Sequence, residues 1–324
     1  MQAGKKPVVV VGSINIDLVA NTERIPVEGE TVQGHDFQIH PGGKGANQAV
    51  AVARLGYPVA MIGRTGDDAF GKQLREHLAG AGVNIDAVAM SPGTSGVAVI
   101  VVSDKGENSI VITPGANAHV TTADIDANLD LLRSAGVVLT QLEIPIPTVL
   151  HLARVCAREK VPLILDPAPA KDLPAELFQL VEWFTPNETE AAFFIGGGGV
   201  DDPSIMAQFL MKKGAKGVLL KLGSRGVYVA TDTGIAEQLR SFEVKAVDTT
   251  AAGDAFNGAF ATGLMMDLAP IESARFAAAA AAVSVTRAGA QPSMPSIAEV
   301  EQMLHSAAVG RSGERPLSHP IAKG

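Results

Sequence analysis

Short β-branched runs that stay apolar at every position recur along this chain, each followed by a segment with helical periodicity. Val8-Val9-Val10-Val11 is the first, and Gly136-Val137-Val138-Leu139-Thr140, Val161-Pro162-Leu163-Ile164-Leu165 and Gly217-Val218-Leu219-Leu220-Lys221 follow. A strand with one wet face alternates apolar and polar residues, so a run without polar positions must be covered on both faces. Helical patterns at Ala46–Leu55, Thr148–Lys160, Glu188–Ile195 and another ending near Lys213 supply the covers. The expected fold is α/β, a three-layer parallel sheet flanked by helices.

Two stretches, at about 17–40 and 96–113, break this rhythm with extended runs such as Val97-Ala98-Val99-Ile100-Val101-Val102 that no helix accompanies. A small accessory sheet inserted at two places, covering the ligand edge of the main sheet, would explain them. Two ordinary surface hairpins would leave the same pattern. No repeat of solenoid period occurs.

Charge narrows the ligand class. With 26 basic against 34 acidic residues the net charge is −8, which disfavours a nucleic-acid or anionic-membrane surface. ATP is not excluded, because backbone N–H groups at a helix start can hold phosphates without a basic patch. Cys156 is the single cysteine, so no intramolecular disulfide can form. The apolar runs Val8–Val11 and Phe276–Val283 are too short for a signal-peptide core or a bilayer span. A cytoplasmic protein is expected.

The most informative motif is Asp248-Thr249-Thr250-Ala251-Ala252-Gly253-Asp254, continuing into the close-packing pattern Ala255–Phe260. Small residues at a helix start expose N–H groups to an anion, and a carboxylate in that first turn could take a proton from a neighbouring hydroxyl. Asp254 is therefore either a general base beside an oxyanion site or an N-cap, since Asp is a preferred cap. From this segment alone both readings stay open.

Pro41-Gly42-Gly43-Lys44-Gly45-Ala46-Asn47 offers close backbone approach, with Lys44 and Asn47 as polar groups suited to hydroxyls. It is not a Walker A loop, because Gly45 follows Lys44. Asn15 and Asp17 lie two apart after the first strand, on one side of an extended segment, and the dinucleotide fingerprint is absent there. Asn187 and Glu190, three apart in Thr185-Pro186-Asn187-Glu188-Thr189-Glu190, could hold a phosphate and a hydrated Mg2+. Alternatively Thr185 caps that helix with Glu188 as its box partner. Leu222-Gly223-Ser224-Arg225-Gly226 is either a phosphate-binding turn or an ordinary hairpin loop. The seven histidines show no metal-ligand spacing.

Singly weak, these motifs gain weight from their order. Gly-Gly-Lys-Gly-Ala-Asn-Gln-Ala, then Thr-Pro-Asn-Glu-Thr-Glu, then Asp-Thr-Thr-Ala-Ala-Gly-Asp together resemble the PfkB carbohydrate-kinase family, in its ribokinase-like form. Also similar are Leu142-Glu143, Asp166-Pro167-Ala168-Pro169-Ala170 and Thr286–Ser293, so the likeness runs from about Val8 to Ile297.

The resemblance implies a ribokinase-like kinase domain over 7–309 with a β-sheet lid made by the two inserted segments; the stretch 310–324, with Gly, Pro, Ser and charge but no periodicity, is expected to be a loose tail. The resemblance also implies ATP-dependent phosphorylation of ribose at the 5-hydroxyl, or the same chemistry on 2-deoxyribose, fructose or a nucleoside; the rival from another class is a catalytically silent sugar-binding regulator, which would be expected to have lost the base or the anion turn. Asn15, Asp17, Gly42, Gly43, Lys44, Asn47 and Glu143 would bind the sugar. Asp254 would be the base, and the N–H groups of Ala251, Ala252 and Gly253 the anion hole. Asn187, Lys221, Leu222, Gly223, Ser224, Arg225, Gly226, Gly253, Asp254 and Ala278 would line the ATP site.

Glu190 would help to place Mg2+. K+ or another monovalent cation would take Asp248, Thr250, Ser284, Arg287, Gly289 and Ser293, with Arg and Gly acting through carbonyls. A homodimer through the lid sheet is also implied. Two positions depart from the pattern: Lys221 stands where ribokinases more often carry Thr, and Ala278 is smaller than the polar residue often found there.

Overall fold

The computed structural model describes residues 4–197 and 199–310; of the tail expected at 310–324, all but Gly310 lies outside them. The chain opens with β1 (Val8–Val11), β2 (Asn15–Thr22), β3 (Gly34–Gly42), α1 (Lys44–Arg54), β4 (Val59–Gly66) and α2 (Ala69–Gly80). Strands β5 (Val88–Ser91), β6 (Gly96–Ser103) and β7 (Asn108–Thr113) lead into short helices α3 (Thr122–Ala127) and α4 (Leu129–Ser134). Strand and helix then alternate through β8 (Val137–Thr140), α5 (Ile146–Glu159), β9 (Leu163–Leu165), α6 (Ala175–Leu180), β10 (Trp183–Phe184), α7 (Glu188–Phe194) and α8 (Pro203–Lys212). A meander of β11 (Gly217–Lys221), β12 (Val227–Thr231) and β13 (Ala236–Leu239) precedes α9 (Ala252–Met265), α10 (Pro270–Ser284) and α11 (Ile297–Gly310).

Among the described residues the larger sheet runs β13-β12-β11-β10-β9-β8-β1-β4-β5. Its all-apolar central strands are covered on both sides. Val8 and Val10 join the cluster built with Ala49 and Val52 of α1 and Phe256 and Phe260 of α9. Val9 and Val11 join the opposite cluster, with Leu152 of α5 and Leu210 of α8. All four valines are fully buried, each gaining about 1.5–3 kcal/mol over an exposed position. The expectation of a wholly parallel sheet needs one correction. Strands β12 and β13 are antiparallel, because only Leu222–Gly226 joins β11 to β12 and so short a link cannot cross over.

The two irregular stretches do pair into one separate sheet, ordered β3-β2-β6-β7, with β2 parallel to β6 and the other pairs antiparallel. Both of its first strands are tied directly to the core: β2 starts just beyond β1, and β3 ends where α1 begins. Every residue of β7 is exposed, and Phe37, Ile39, Val99, Ile110, Val111 and Ile112 present apolar surface. Among the described residues no helix is long and apolar enough to cross a membrane.

Candidate active site

Asp254 is the third residue of α9 and is 5% exposed. Ala251 caps the helix in a left-handed conformation (φ 57°), which costs a non-glycine residue on the order of 1 kcal/mol and turns the chain sharply into α9. The capping alternative for Asp254 is thereby removed: its carboxylate serves no backbone N–H of the first turn and instead accepts Asn47 Nδ2 at 2.9 Å and Gln48 Nε2 at 3.0 Å. The first intrahelical bond runs from Ala255 N–H to Ala251 O, so the N–H groups of Gly253 and Asp254 ahead of it have no helical carbonyl to serve. Ala252, expected to share in the anion hole, already donates to Thr249 O at 3.2 Å.

Asn47 and Gln48 reach Asp254 because α1 and α9 cross closely. A Cβ at Gly258 would fall 2.6 Å from Ala51 Cβ, so only glycine lets the helices approach this far. Gly43, which caps α1 at φ 87°, is equally constrained, since a Cβ there would lie 2.7 Å from Asn15 N. Gln291 Nε2 donates to Asn47 Oδ1 at 3.0 Å, and Gln141 Nε2 donates to Gln48 Oε1. Each carbonyl is thus occupied, which fixes both NH2 groups toward the carboxylate.

Carboxylates surround one ammonium here. Burial pushes Asp254 up to about 6, with Asp166 adding to the rise and Lys44, Asn47 and Gln48 opposing it. Asp17, also driven first by burial and then by Glu143 and Asp254, is pushed up to about 6. Burial pulls Lys44 down, but Asp254, Asp166, Glu143 and Glu190 outweigh it and hold the ammonium above its ordinary range. Glu143 Oε2 accepts the Lys44 N–H at 3.1 Å and the Ser13 hydroxyl, so it also closes the start of α1. Asn15 is buried, its carbonyl accepting Asn117 Nδ2 at 2.6 Å. Gly42 lies against the Asp17 carboxylate.

A cavity of about 930 Å³ opens from Lys44 and Asp254. Its floor includes Asn187, Glu190 and Lys221, its rim the exposed turn Gly223–Gly226, and one wall Ala278, Ala281, Ala282 and Val285. The rim residues are both a hairpin loop and a cavity lining. Leu222 differs from the expectation, because its side chain packs in the apolar core. The segment Arg240–Val244 lines the cavity and carries no recognisable motif.

Asn187, not Thr185, caps α7, and Glu190 rather than Glu188 closes the capping box, each bond 2.8 Å. Burial raises the Glu190 carboxyl, Lys221 opposing and Asp166 adding to the rise. Lys221 points inward rather than out to bulk solvent: its side chain is 14% exposed and Nζ pairs with Asp166 Oδ1 at 2.9 Å.

Among the described residues no group of three or more His, Cys, Asp or Glu could hold a metal ion. A Mg2+ beside Glu190 would therefore draw most ligands from phosphates and water, as that ion ordinarily does. Asp248 accepts from Thr250 N–H and O–H and, at 2.8 Å, from Gly289 N–H, which joins the loop before α9 to the one after α10. Burial opposes these bonds but they prevail, holding Asp248 below the usual carboxylate range. Ser284 ends α10, with Arg287 following, and Ser293 lies in the single turn Gln291–Ser293. An anionic carboxylate among hydroxyls and carbonyls suits a hard monovalent cation.

Asn117, Gln141, Gln291 and Asp166 had no assigned role from sequence. Gln48, Asp166 and Gln291 fall within the quoted motifs and Asn117 and Gln141 in none; Asn117 and Gln291 act across 102 and 244 residues, beyond any local signal.

The chain is 40% identical to a ribokinase of Haemophilus influenzae over 94% of its own length and 100% of that protein. It is 36% identical to a deoxyribokinase of Salmonella typhi, over 92% and 98% of the two chains. The structure of Arabidopsis thaliana ribokinase complexed with ribose and ATP superposes with a TM-score of 0.87 at 38% identity, covering 92% of this chain and 98% of that one. Residues 5–297 match the model of the pfkB family of carbohydrate kinases, and the chain belongs to that family.

Proposed function

We propose that this enzyme transfers the γ-phosphoryl group of ATP to the 5-hydroxyl of D-ribose, giving ribose 5-phosphate and ADP. One observation carries the reading: a buried carboxylate, Asp254, gripped by two oriented amides at the mouth of an N–H-lined turn, between a polar pocket and a cavity that fits a nucleotide. The likeness to ribokinases supports ribose as acceptor.

In the reaction the sugar oxygen bonds to the γ-phosphorus as the bond to the ADP oxygen breaks, and the hydroxyl proton passes to Asp254. Asn15, Asp17, Gly42, Gly43, Lys44, Asn47 and Glu143 orient the hydroxyls, with Lys44 balancing the carboxylates. Gly253 and Asp254 N–H groups receive the phosphoryl oxygens, Ala251 setting their direction. Asn187 and the turn Gly223–Gly226 hold the nucleotide phosphates, and the alanine wall of α10 receives the base.

Mg2+, when bound near Glu190, supplies charge neutralisation at the phosphates. K+ would be held by Asp248, Thr250, Ser284, Arg287, Gly289 and Ser293 and would steady the anion turn. The small sheet is the lid, excluding water from the transfer. Its exposed apolar residues support a homodimer through that sheet. Location in the cytoplasm agrees with the lone, buried cysteine.

A coupled ADP-release assay across ribose, 2-deoxyribose, fructose and adenosine, with and without K+, tests the assignment. Ribose should give the highest kcat/KM, and K+ should raise it. Preference for 2-deoxyribose, which the deoxyribokinase relative makes the second candidate, would replace the substrate while leaving the chemistry. No sugar-dependent turnover would remove the kinase function, and indifference to every monovalent cation would remove the cation site.

A further inference from the structure

Asp166 directly follows β9 and is 2% exposed, a buried carboxylate that the mechanism above does not employ. Its two oxygens go separate ways. Oδ1 pairs with Lys221 Nζ at 2.9 Å, and Oδ2 accepts Gln48 Nε2 at 2.9 Å. That same nitrogen donates to Asp254 Oδ1, so the hydrogens of one NH2 group are divided between two carboxylates. Gln141 occupies the Gln48 carbonyl and prevents a flip. On the other side, among the described residues beyond the neighbours of Gly253 and the backbone of α9, Lys221 Nζ alone comes within 4 Å of where a Gly253 Cβ would stand, at 3.4 Å. The ammonium therefore sits beside the turn whose N–H groups open into the cavity.

We propose that Asp166 is a positioning residue for both halves of the transfer: through Gln48 it aligns the base Asp254, and through Lys221 it holds an ammonium where the phosphoryl group arrives. The inference rests on the kinase reading. A carboxylate two hydrogen bonds from Asp254 disfavours a second negative charge and so strengthens the base. Lys221 offsets that effect in the empty site. A phosphate at the anion turn shares the Lys221 charge, which leaves Asp166 less compensated and Asp254 more basic when the nucleotide is in place. The other charged groups around the base are Asp17 from β2, Lys44 from α1, Glu143 after β8 and Glu190 from α7. None of them is hydrogen-bonded to both Gln48 and Lys221 as Asp166 is.

The test compares Asp166→Asn, which preserves shape, with Lys221→Met and the double variant. The pH profile of kcat/KM for the sugar is measured together with KM for ATP. Asp254 is also titrated in the unliganded protein by 13C NMR of carboxyl-labelled aspartate, its resonance identified by loss in Asp254→Asn. Asp166→Asn should move the acidic limb and the NMR midpoint down by about one pH unit. Lys221→Met should move both up and raise KM for ATP by about tenfold, and in the double variant the limb and the midpoint should return close to wild type while KM for ATP stays raised. Limbs that stay put, or move the same way in both single variants, overturn the proposal. So does an Asp166→Asn effect confined to the Mg2+ dependence, which would make the residue a metal partner. If the wild type turns over no sugar, the kinase reading falls, and the NMR midpoints alone still decide whether Asp166 and Lys221 set the base.

Discussion

Replacing Asp254 by Asn separates the function of this carboxylate from its contribution to stability. Its pKa stands near 6 in the folded chain against an ordinary 3.8, chiefly because burial disfavours the charge. A raised carboxylate destabilises the folded state once ionised. The penalty is absent below pH 3.8, grows between 3.8 and 6, and is complete above 6, reaching about 3 kcal/mol. Asparagine carries no such penalty. It does turn an NH2 toward Asn47 Nδ2 or Gln48 Nε2, which Gln291 and Gln141 keep from rotating, and one unsatisfied donor costs about 1–3 kcal/mol at every pH. The variant should therefore be close to wild type in stability at pH 8 and less stable at pH 4. Denaturant unfolding of both proteins across that range should show their difference changing by about 3 kcal/mol. Under the same conditions kcat should fall by about 10²–10⁴ while ribose binding persists. A stability difference that does not vary with pH would refute the buried ionised carboxylate, and near-normal turnover would refute the base.

Glycine substitutions should split in the same manner. Gly253→Ala meets nothing but Lys221 Nζ and enters a helix, so stability should hold or rise by up to about 1 kcal/mol, yet KM for ATP should rise sharply because the methyl fills the anion turn. Gly43→Ala, at positive φ with 2.7 Å to Asn15 N, should instead lose about 2–4 kcal/mol in thermal unfolding. With Asp254 and Asp17 both near 6, kcat/KM should drop steeply as pH falls through 6, and Asp17→Asn should make that limb shallower in a pH profile. Val111→Glu, on a strand exposed at every residue, should shift sedimentation from dimer to monomer; an unchanged sedimentation coefficient would place the dimer contact elsewhere or remove it.

The layered sheet was readable because Val8–Val11 has no polar position to offer water, and such a run has only one kind of home. The antiparallel edge was not: apolar content in β11 and β12 says both are strands, while their direction depends on the length of the link between them. At α7 the right motif was found with its capping frame displaced by two residues. Thr185-Pro186-Asn187-Glu188-Thr189-Glu190 offers a cap and a partner three residues on in both frames, and only Asn187 meets Glu190 in reciprocal bonds. For Asp254 the choice between cap and base turns on contacts to α1, more than 200 residues away in sequence. Leu222 shows the converse: a residue inside a ligand-facing motif can still serve the core.

The amide grip on Asp254 also fixes when in the synthesis of the chain this carboxylate can first be held as it is in the folded protein. Residues 47, 48, 141, 166, 254 and 291 must all be present before the carboxylate is held from both sides. Strands β1 to β11 all precede α9 in the chain and so are synthesised before it. A nascent chain halted before Gln291 would thus own most of its architecture and an Asp254 whose Asn47 partner is free to turn away. The amide grip is therefore complete only once the turn after α10 has been made.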